Sequence, residues 1–494
     1  MEILKEPVSR REAIAAGLGI VGAGLLVAEV AGVYKAVNFL QGLERAATEP
    51  DLNYLYQLDR TTPRELYPKE LRLGQPRLPA ELTGMAGNFY NLWRWVDQDI
   101  QSLASDFQKD KITAEQLRSA IEKKPLYRAL SGARDLGFRR LRIYINDAEA
   151  FRHRIPNNLN PEIRDGYWFL SGFQNSINPN DSDRYDFTVL DKVDCLFYLS
   201  QILGFGFGFE VDLSDAFNLI HAPSFFSTKP DKEPSLTSPF CSIVSVANHP
   251  RQVNMFFTDK TYIGYFGERL EVISQYRGKY TKEKFADHPQ MVAVSPMNEP
   301  NPFAIPEAGV TRRQAHDWFA VNAKLARKLF PDKILVFGYG QQGNINQSIE
   351  DLTSIPEIVL PFHFYYPALN RALYRAMAFS LQSAFQRSRI KPLYLQEINF
   401  DFSRIAQVAG LTHDQLASIF LKQAFQALTQ DGTMLTNGLG CWSLTIPDKT
   451  DPGKFDQEEE LNEPDHNWIV PGMKKTAQVV RFLDQVFTSF PTSC

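Results

Sequence analysis

Cysteine is scarce in this chain of 494 residues: only Cys195, Cys241, Cys441 and Cys494 are present. No two of them form a Cys-x-x-Cys pair and they make no dense framework, so the protein is not a disulfide scaffold, and one bridge at most fits the count. The eight histidines are scattered. No His-Glu-x-x-His or related ligand spacing occurs, and neither a catalytic metal nor any other cofactor is expected. An excess of one charge sign is missing too. Lys and Arg number 53 against 57 Asp and Glu, for a net charge of -4, and no basic cluster stands out, which speaks against nucleic acid as a partner. No Gly-x-Gly-x-x-Gly turn closes a first strand. The stretch "GFGFGFE" (204–210) sits inside a strand pattern, whereas a phosphate cradle needs its glycines where a helix begins. Strong internal repeats and low-complexity tracts are absent.

What is present begins with ordinary globular chemistry. Apolar residues make up 44% and charged residues 22%, enough to bury a large core. Thirty-six Phe and nineteen Tyr suit either that core or the lining of a sugar cleft. Near the start, Arg10 and Arg11 precede a small, apolar, uncharged run from Ala13 to Ala28. This reads as an export signal of twin-arginine-like type, too short for a comfortable membrane span of about 20 residues but able to tether the chain to a membrane. The expected location is therefore periplasmic, secreted or membrane-anchored. Residues 1–40 form this signal or anchor, residues 41–82 a Pro-rich lead-in, and residues 83–494 the body of the protein.

From residue 83 onward, short apolar runs alternate with amphipathic stretches. Eight runs read as strands: 82–90, 137–145, 204–213, 291–300, 333–340, 357–367, 391–400 and 438–447. Helical spacing fills the gaps, most clearly at 189–203, 312–330, 413–430 and 474–490. Strands alternating with helices imply parallel pairing through right-handed crossovers, and eight such units predict a (β/α)₈ TIM barrel with long strand-to-helix loops. A doubly wound open sheet is the competing architecture.

In such barrels the chemistry stands at the C-terminal ends of the strands. The second strand carries Arg142, the fourth ends in Asn298-Glu299, the sixth in His363-Phe364-Tyr365, and the seventh in Gln396-Glu397; the eighth carries Trp442. A carboxylate at the mouth of an apolar strand costs desolvation energy unless it is paired, and here two stand at different strand ends. Two carboxyl groups facing one cleft are what glycoside hydrolysis requires: one protonates the leaving oxygen and the other, ionised, attacks the anomeric carbon. Arg142 is suited to hold the nucleophile ionised and Tyr365 to hydrogen-bond it. Asn298 suits a sugar 2-hydroxyl, and the flat face of Trp442 suits a pyranose ring. Each residue also has a plain packing or ion-pair reading. Arg140 and Arg142 would point the same way on an alternating strand, where salt bridging is an ordinary role.

The ordered set "RLRI", "MNEP", "FHFYYP", "LQEINF" and "CWSL" resembles glycoside hydrolase family 5, the cellulase and mannanase family, or a sister family of the retaining (β/α)₈ glycosidase clan. The resemblance spans roughly residues 83–490. It implies Glu299 as acid/base and Glu397 as nucleophile, with Arg142, Asn298, His363, Tyr365 and Trp442 as the substrate-binding and supporting residues. The substrate it implies is a β-linked oligo- or polysaccharide, cleaved by double displacement with the carboxyl groups about 5–5.5 Å apart. The third strand departs from the family pattern: Ser214 or Asp215 stands where a histidine is common, and His221 lies farther on.

A second Asn-Glu-Pro, at 462–464, follows no apolar run. It falls in the acidic, Pro/Gly-marked stretch 448–468 and reads as a solvated loop. Trp93, Trp95 and Trp168 suit either sugar subsites or core. Two other functions share the same signs: a transglycosylase using the same intermediate, and a non-catalytic glycan-binding envelope protein.

Overall fold

Eight short apolar strands pair in parallel and close on themselves. They are β1 (Gly84–Phe89), β2 (Arg140–Tyr144), β3 (Gly208–Asp212), β4 (Met291–Ser295), β5 (Ile334–Val336), β6 (Ile358–Tyr366), β7 (Leu393–Phe400) and β8 (Gly438–Cys441). Each pairs with the next, and β8 pairs back to β1. These are the eight strands expected from the sequence, in a TIM barrel rather than an open sheet. The structure, a computed structural model, describes residues 51–145, 187–214, 254–340, 345–366, 391–400, 410–441, 444–445, 468–469 and 472–490, apart from a few single positions. The expected export segment, Trp168, Asp215, His221, Trp442 and the second Asn-Glu-Pro lie outside the described residues.

Parallel strands covered on both faces read as near-continuous apolar runs, and β1, β2 and β8 are buried along their whole length. Alternation divides the two faces. Leu141, Ile143, Phe209, Val211, Phe362 and Phe364 join the core between barrel and helices. Ala293, Val336, Val359 and Tyr394 form a separate cluster with Leu78 and Leu82 of the preceding segment, which plugs the N-terminal end of the barrel.

The surrounding helices are α1 (Leu52–Arg60), α2 (Gln98–Gln108), α3 (Ala114–Ile121), α4 (Pro125–Leu136), α5 (Thr188–Ile202), α6 (Lys260–Gln275), α7 (Arg312–Leu329), α8 (Ile345–Leu352), α9 (His413–Leu428) and α10 (Lys474–Ser489). Capping boxes start three of them: Thr113 with Gln116, Thr311 with Gln314 and Thr412 with Gln415. In each, side chain and backbone satisfy one another's unpaired groups. On the inner side of α7, Trp318 and Phe319 pack on Phe337, which comes just after β5, with ring centroids 5.7 and 4.5 Å apart. Ahead of the barrel, α1 buries Leu55 and Leu58 and accepts Lys422 Nζ on the Leu58 carbonyl at 2.8 Å. Cys195 and Cys441 are buried free thiols. Among the described residues no helix is long and apolar enough to cross a membrane.

The parallel ladder is irregular on both sides of β7. Pairing between β6 and β7 steps from Phe362–Leu395 to His363–Glu397, and pairing of β7 with β8 steps from Leu395–Leu439 to Ile398–Cys441. A β-bulge at Gln396 absorbs the extra residue, and bulges re-aim side chains. Asn88 Nδ2 takes up the Gln396 carbonyl at 3.2 Å and the Cys441 carbonyl at 3.0 Å. Gly440 leaves the room: a Cβ there would overlap the Gln396 carbonyl oxygen. Gly440→Ala is therefore expected to part β7 from β8 and cost ~3 kcal/mol, the upper range for overpacking. The urea midpoint checks this, and an unchanged midpoint would mean that the close approach does not constrain the barrel.

Candidate active site

The C-terminal mouth of the barrel gathers charge from four strands around Arg142. On β2 the alternating positions Arg140, Arg142 and Tyr144 face the interior, and on β3 so do Glu210 and Asp212. Arg142, fully buried, donates through Nε to Asp212 Oδ2 at 2.6 Å, through Nη1 to Glu397 Oε1, and through Nη2 to Asn298 Oδ1 at 2.9 Å. The Tyr144 hydroxyl donates to the same Glu397 oxygen at 2.7 Å. Arg142 thus holds two carboxyl groups at once, hydrogen-bonding Asp212 and gripping Glu397.

Glu299 arrives from the opposite side. Its backbone has φ +47°, a left-handed conformation that costs a non-glycine residue about 1–3 kcal/mol and persists where the surroundings impose it. The surroundings here are tight. Asn298 N–H donates to the Ser214 carbonyl at 2.9 Å, and Asn301 N–H to the Glu299 carbonyl at 2.7 Å. Arg269 Nε in turn donates to Ser214 Oγ at 2.7 Å, so the residue at the end of β3 anchors the Asn298-Glu299 turn. At Gly340, with φ +74°, a Cβ would crowd the Glu299 side chain and the His363 ring at 3.0 and 3.2 Å.

His363 joins the two glutamates. Its Nδ1 bonds Glu299 Oε1 and lies 3.3 Å from Glu397 Oε2, while its Nε2 meets Gln396 Oε1 at 2.8 Å. Donor atoms of Glu299, His363 and Glu397 all lie within 4.8 Å of one another. Three such donors are within reach of one cation. The Arg142 guanidinium bonds Glu397 and His363 bonds Glu299, so the carboxyl oxygens already have protein partners. Burial works against the charged form of His363, but Glu397 and Glu299 outweigh it and raise its pKa. Burial also works against Arg142, yet Asp212, Tyr144, Glu397 and Glu210 lift its pKa well above the ordinary value. For Asp212, burial and the nearby Glu210 push the pKa up to about 7 despite Arg142.

Of the residues singled out in sequence, Glu299, Glu397, Arg142, Asn298 and His363 come together. Tyr365 lies on β6, with its side chain outside the described part of the structure, and Trp442 is outside the described residues. Trp93 is buried and donates to the Tyr144 carbonyl at 2.7 Å, so it packs beneath the site rather than lining it. Tyr144, Glu210 and Asp212 were missed. Their signal was legible, since period-two alternation places Tyr144 on the face of Arg142 and Asp212 on the face of Glu210.

Solved structures share this barrel. One is a variant of a glycoside hydrolase family 5 mannosidase from Rhizomucor miehei, in complex with mannosyl-fructose. It is 10% identical with a TM-score of 0.51, covering 84% of this chain and 94% of that one. Another variant of a family 5 mannosidase from Rhizomucor miehei is 11% identical with a TM-score of 0.50, covering 83% and 93%. An endo-β-1,4-mannanase from Thermotoga petrophila is 12% identical with a TM-score of 0.49, covering 83% and 77%. At these identities the likeness is one of fold. No family model and no curated protein matches the sequence.

The raised Asp212 pKa has a consequence for stability. Between its unfolded value and about 7, the folded protein holds a proton that the unfolded chain has released. That contribution is full below about pH 4 and is lost as pH rises through about 7. Wild type should therefore lose stability relative to Asp212→Asn across this window, by a few kcal/mol at most given ~1.4 kcal/mol per pH unit. The amide oxygen of the variant can still accept from Arg142. Denaturant melts of both proteins across the window test this, and parallel curves would mean that Asp212 titrates normally.

Proposed function

We propose that this protein is a retaining glycoside hydrolase acting on β-linked oligo- or polysaccharides. The observation that carries the reading is the pair Glu299, in the turn after β4, and Glu397, on β7, each with a carboxyl oxygen within 4.8 Å of the other. Close approach of the two carboxyl groups is what a retaining reaction needs, where the nucleophile touches the sugar itself across roughly 5–5.5 Å. Glu397, held by Arg142 and Tyr144, attacks the anomeric carbon. Glu299 protonates the leaving oxygen and then activates the water that releases the sugar. Asn298, turned toward Arg142, stands beside both carboxylates where a sugar 2-hydroxyl would lie.

The test is turnover of aryl β-glycosides, β-mannan and β-glucan, with mannan first because the family 5 barrels of similar fold include mannosidases. Glu397→Gln is expected to lose at least ~10³-fold in kcat/KM on every substrate. Glu299→Gln should lose as much on polymers yet keep a first-turnover burst on dinitrophenyl glycosides, whose leaving group needs no proton. Retention of anomeric configuration would be read by proton NMR. Binding without cleavage or transfer would make the protein a glycan-binding one, and an unimpaired Glu397 variant would remove it as nucleophile. Export through residues 13–28 belongs to the same proposal, to be tested by cell fractionation.

A further inference from the structure

A hydrogen-bond chain runs from the base of the barrel to the site, and two members orient it: Arg140, which can only donate, and Glu210, which as a carboxylate can only accept. A guanidinium only donates, and Arg140 Nη2 lies 2.9 Å from the Tyr394 hydroxyl oxygen. Tyr394 must therefore spend its own proton elsewhere, and Glu210 Oε2 stands 3.1 Å away. Glu210 also faces the guanidiniums of Arg140 and Arg142 at 3.7 and 3.9 Å. A carboxylate in that position accepts only, so the Gln396 amide must turn its NH₂ group toward Glu210 Oε1. This leaves Gln396 Oε1, an acceptor, against His363 Nε2. Nε2 must carry a hydrogen.

We propose that Gln396 and Glu210 are positioning residues that hold His363 as the Nε2–H form, and so keep one proton on the Glu299–His363 pair for delivery to the glycosidic oxygen. This rests on the reading of Glu299 as acid/base. With Nε2 committed, Nδ1 has two states. Either it carries a second hydrogen and donates to Glu299, or it offers a lone pair and accepts the Glu299 proton. Both states hold the same single proton between the two residues. Removing it would set a bare Nδ1 lone pair against Glu299 and Glu397 together, an unfavourable contact. The pair therefore resists losing its proton as pH rises. In the first chemical step that proton passes to the leaving oxygen, and in the second the attacking water restores it. Other charged or titratable groups face this pair: Glu397 from β7, Arg142 and Tyr144 from β2, and Glu210 and Asp212 from β3.

If the acceptor is lost, His363 becomes free to adopt the Nδ1–H form, which donates to an ionised Glu299 and stabilises the deprotonated pair. Gln396→Met should thus move the alkaline limb of the kcat/KM profile down by about one pH unit or more. Gln396→Glu keeps an acceptor against Nε2 and should leave the limb in place or higher. A packing role alone would disturb both variants without separating their profiles. The direct measurement is ¹⁵N NMR of the full chain with labelled histidine. His363 is assigned from its loss in His363→Gln, and the spectra are followed from about pH 5 to about pH 9. Nε2 is expected to stay protonated throughout. A neutral His363 with hydrogen on Nδ1, or limbs that shift alike in the two variants, overturns the assignment. The NMR result needs no turnover, so a wild type that neither cleaves nor transfers glycans would remove the hydrolase reading while the tautomer is still decided.

Discussion

The buried guanidinium of Arg142 is the constraint on which the site depends. It lies in the barrel interior with Asp212, Glu397 and Asn298 all in bonding contact. An unpaired charge at this depth would cost several kcal/mol, and removing either partner of a buried pair strands the other. The cost is bearable because three strand ends and the turn after β4 meet at one planar fork. The same fork gives Glu397 a fixed direction, since a bound carboxylate cannot swing away from the cleft.

Charge balance explains much of the rest. Among the described residues of the interior, four carboxyl groups, Glu210, Asp212, Glu299 and Glu397, face two guanidiniums, Arg140 and Arg142. Fully ionised, the set would be anionic in a place poorly screened by water. Two protons relieve it. Asp212 holds one up to about pH 7, and the glutamates beside His363 raise its pKa and favour a second on the imidazole. An excess of buried carboxyl groups thus favours keeping protons in the interior of the barrel.

The backbone shares in this arrangement. Glu299 stands in a left-handed conformation held by its neighbours, and the bulge at Gln396 lets two successive side chains enter the same cavity. Gly340 and Gly440 sit where any larger residue would press on Glu299, His363 or the bulged carbonyl. Close approach recurs at the base, where a Cβ on Gly438 would press on the Leu82 carbonyl, and there Leu78 and Leu82 pack with Ala293, Val336, Val359 and Tyr394.

The eight strands, the helices between them and the candidate carboxylates were legible in the sequence. Apolar periodicity is a local property, and polar residues that interrupt a buried strand end are conspicuous against it. Period two also contained Tyr144 and Asp212, had the polar positions of β2 and β3 been traced to the strand ends. What the sequence could not supply was the partnering. Alternation alone sends Gln396 and Glu397 to opposite faces, and only the bulge, a matter of register with β6 and β8, turns both inward. That His363 bridges the two glutamates, and that Glu210 reaches it through Gln396, depends on strands far apart in sequence closing into a ring. The sequence by itself determined which groups stand at the strand ends. The closed barrel decided which of them touch, because hydrogen bonds and charge pairs form across its interior and not along the chain.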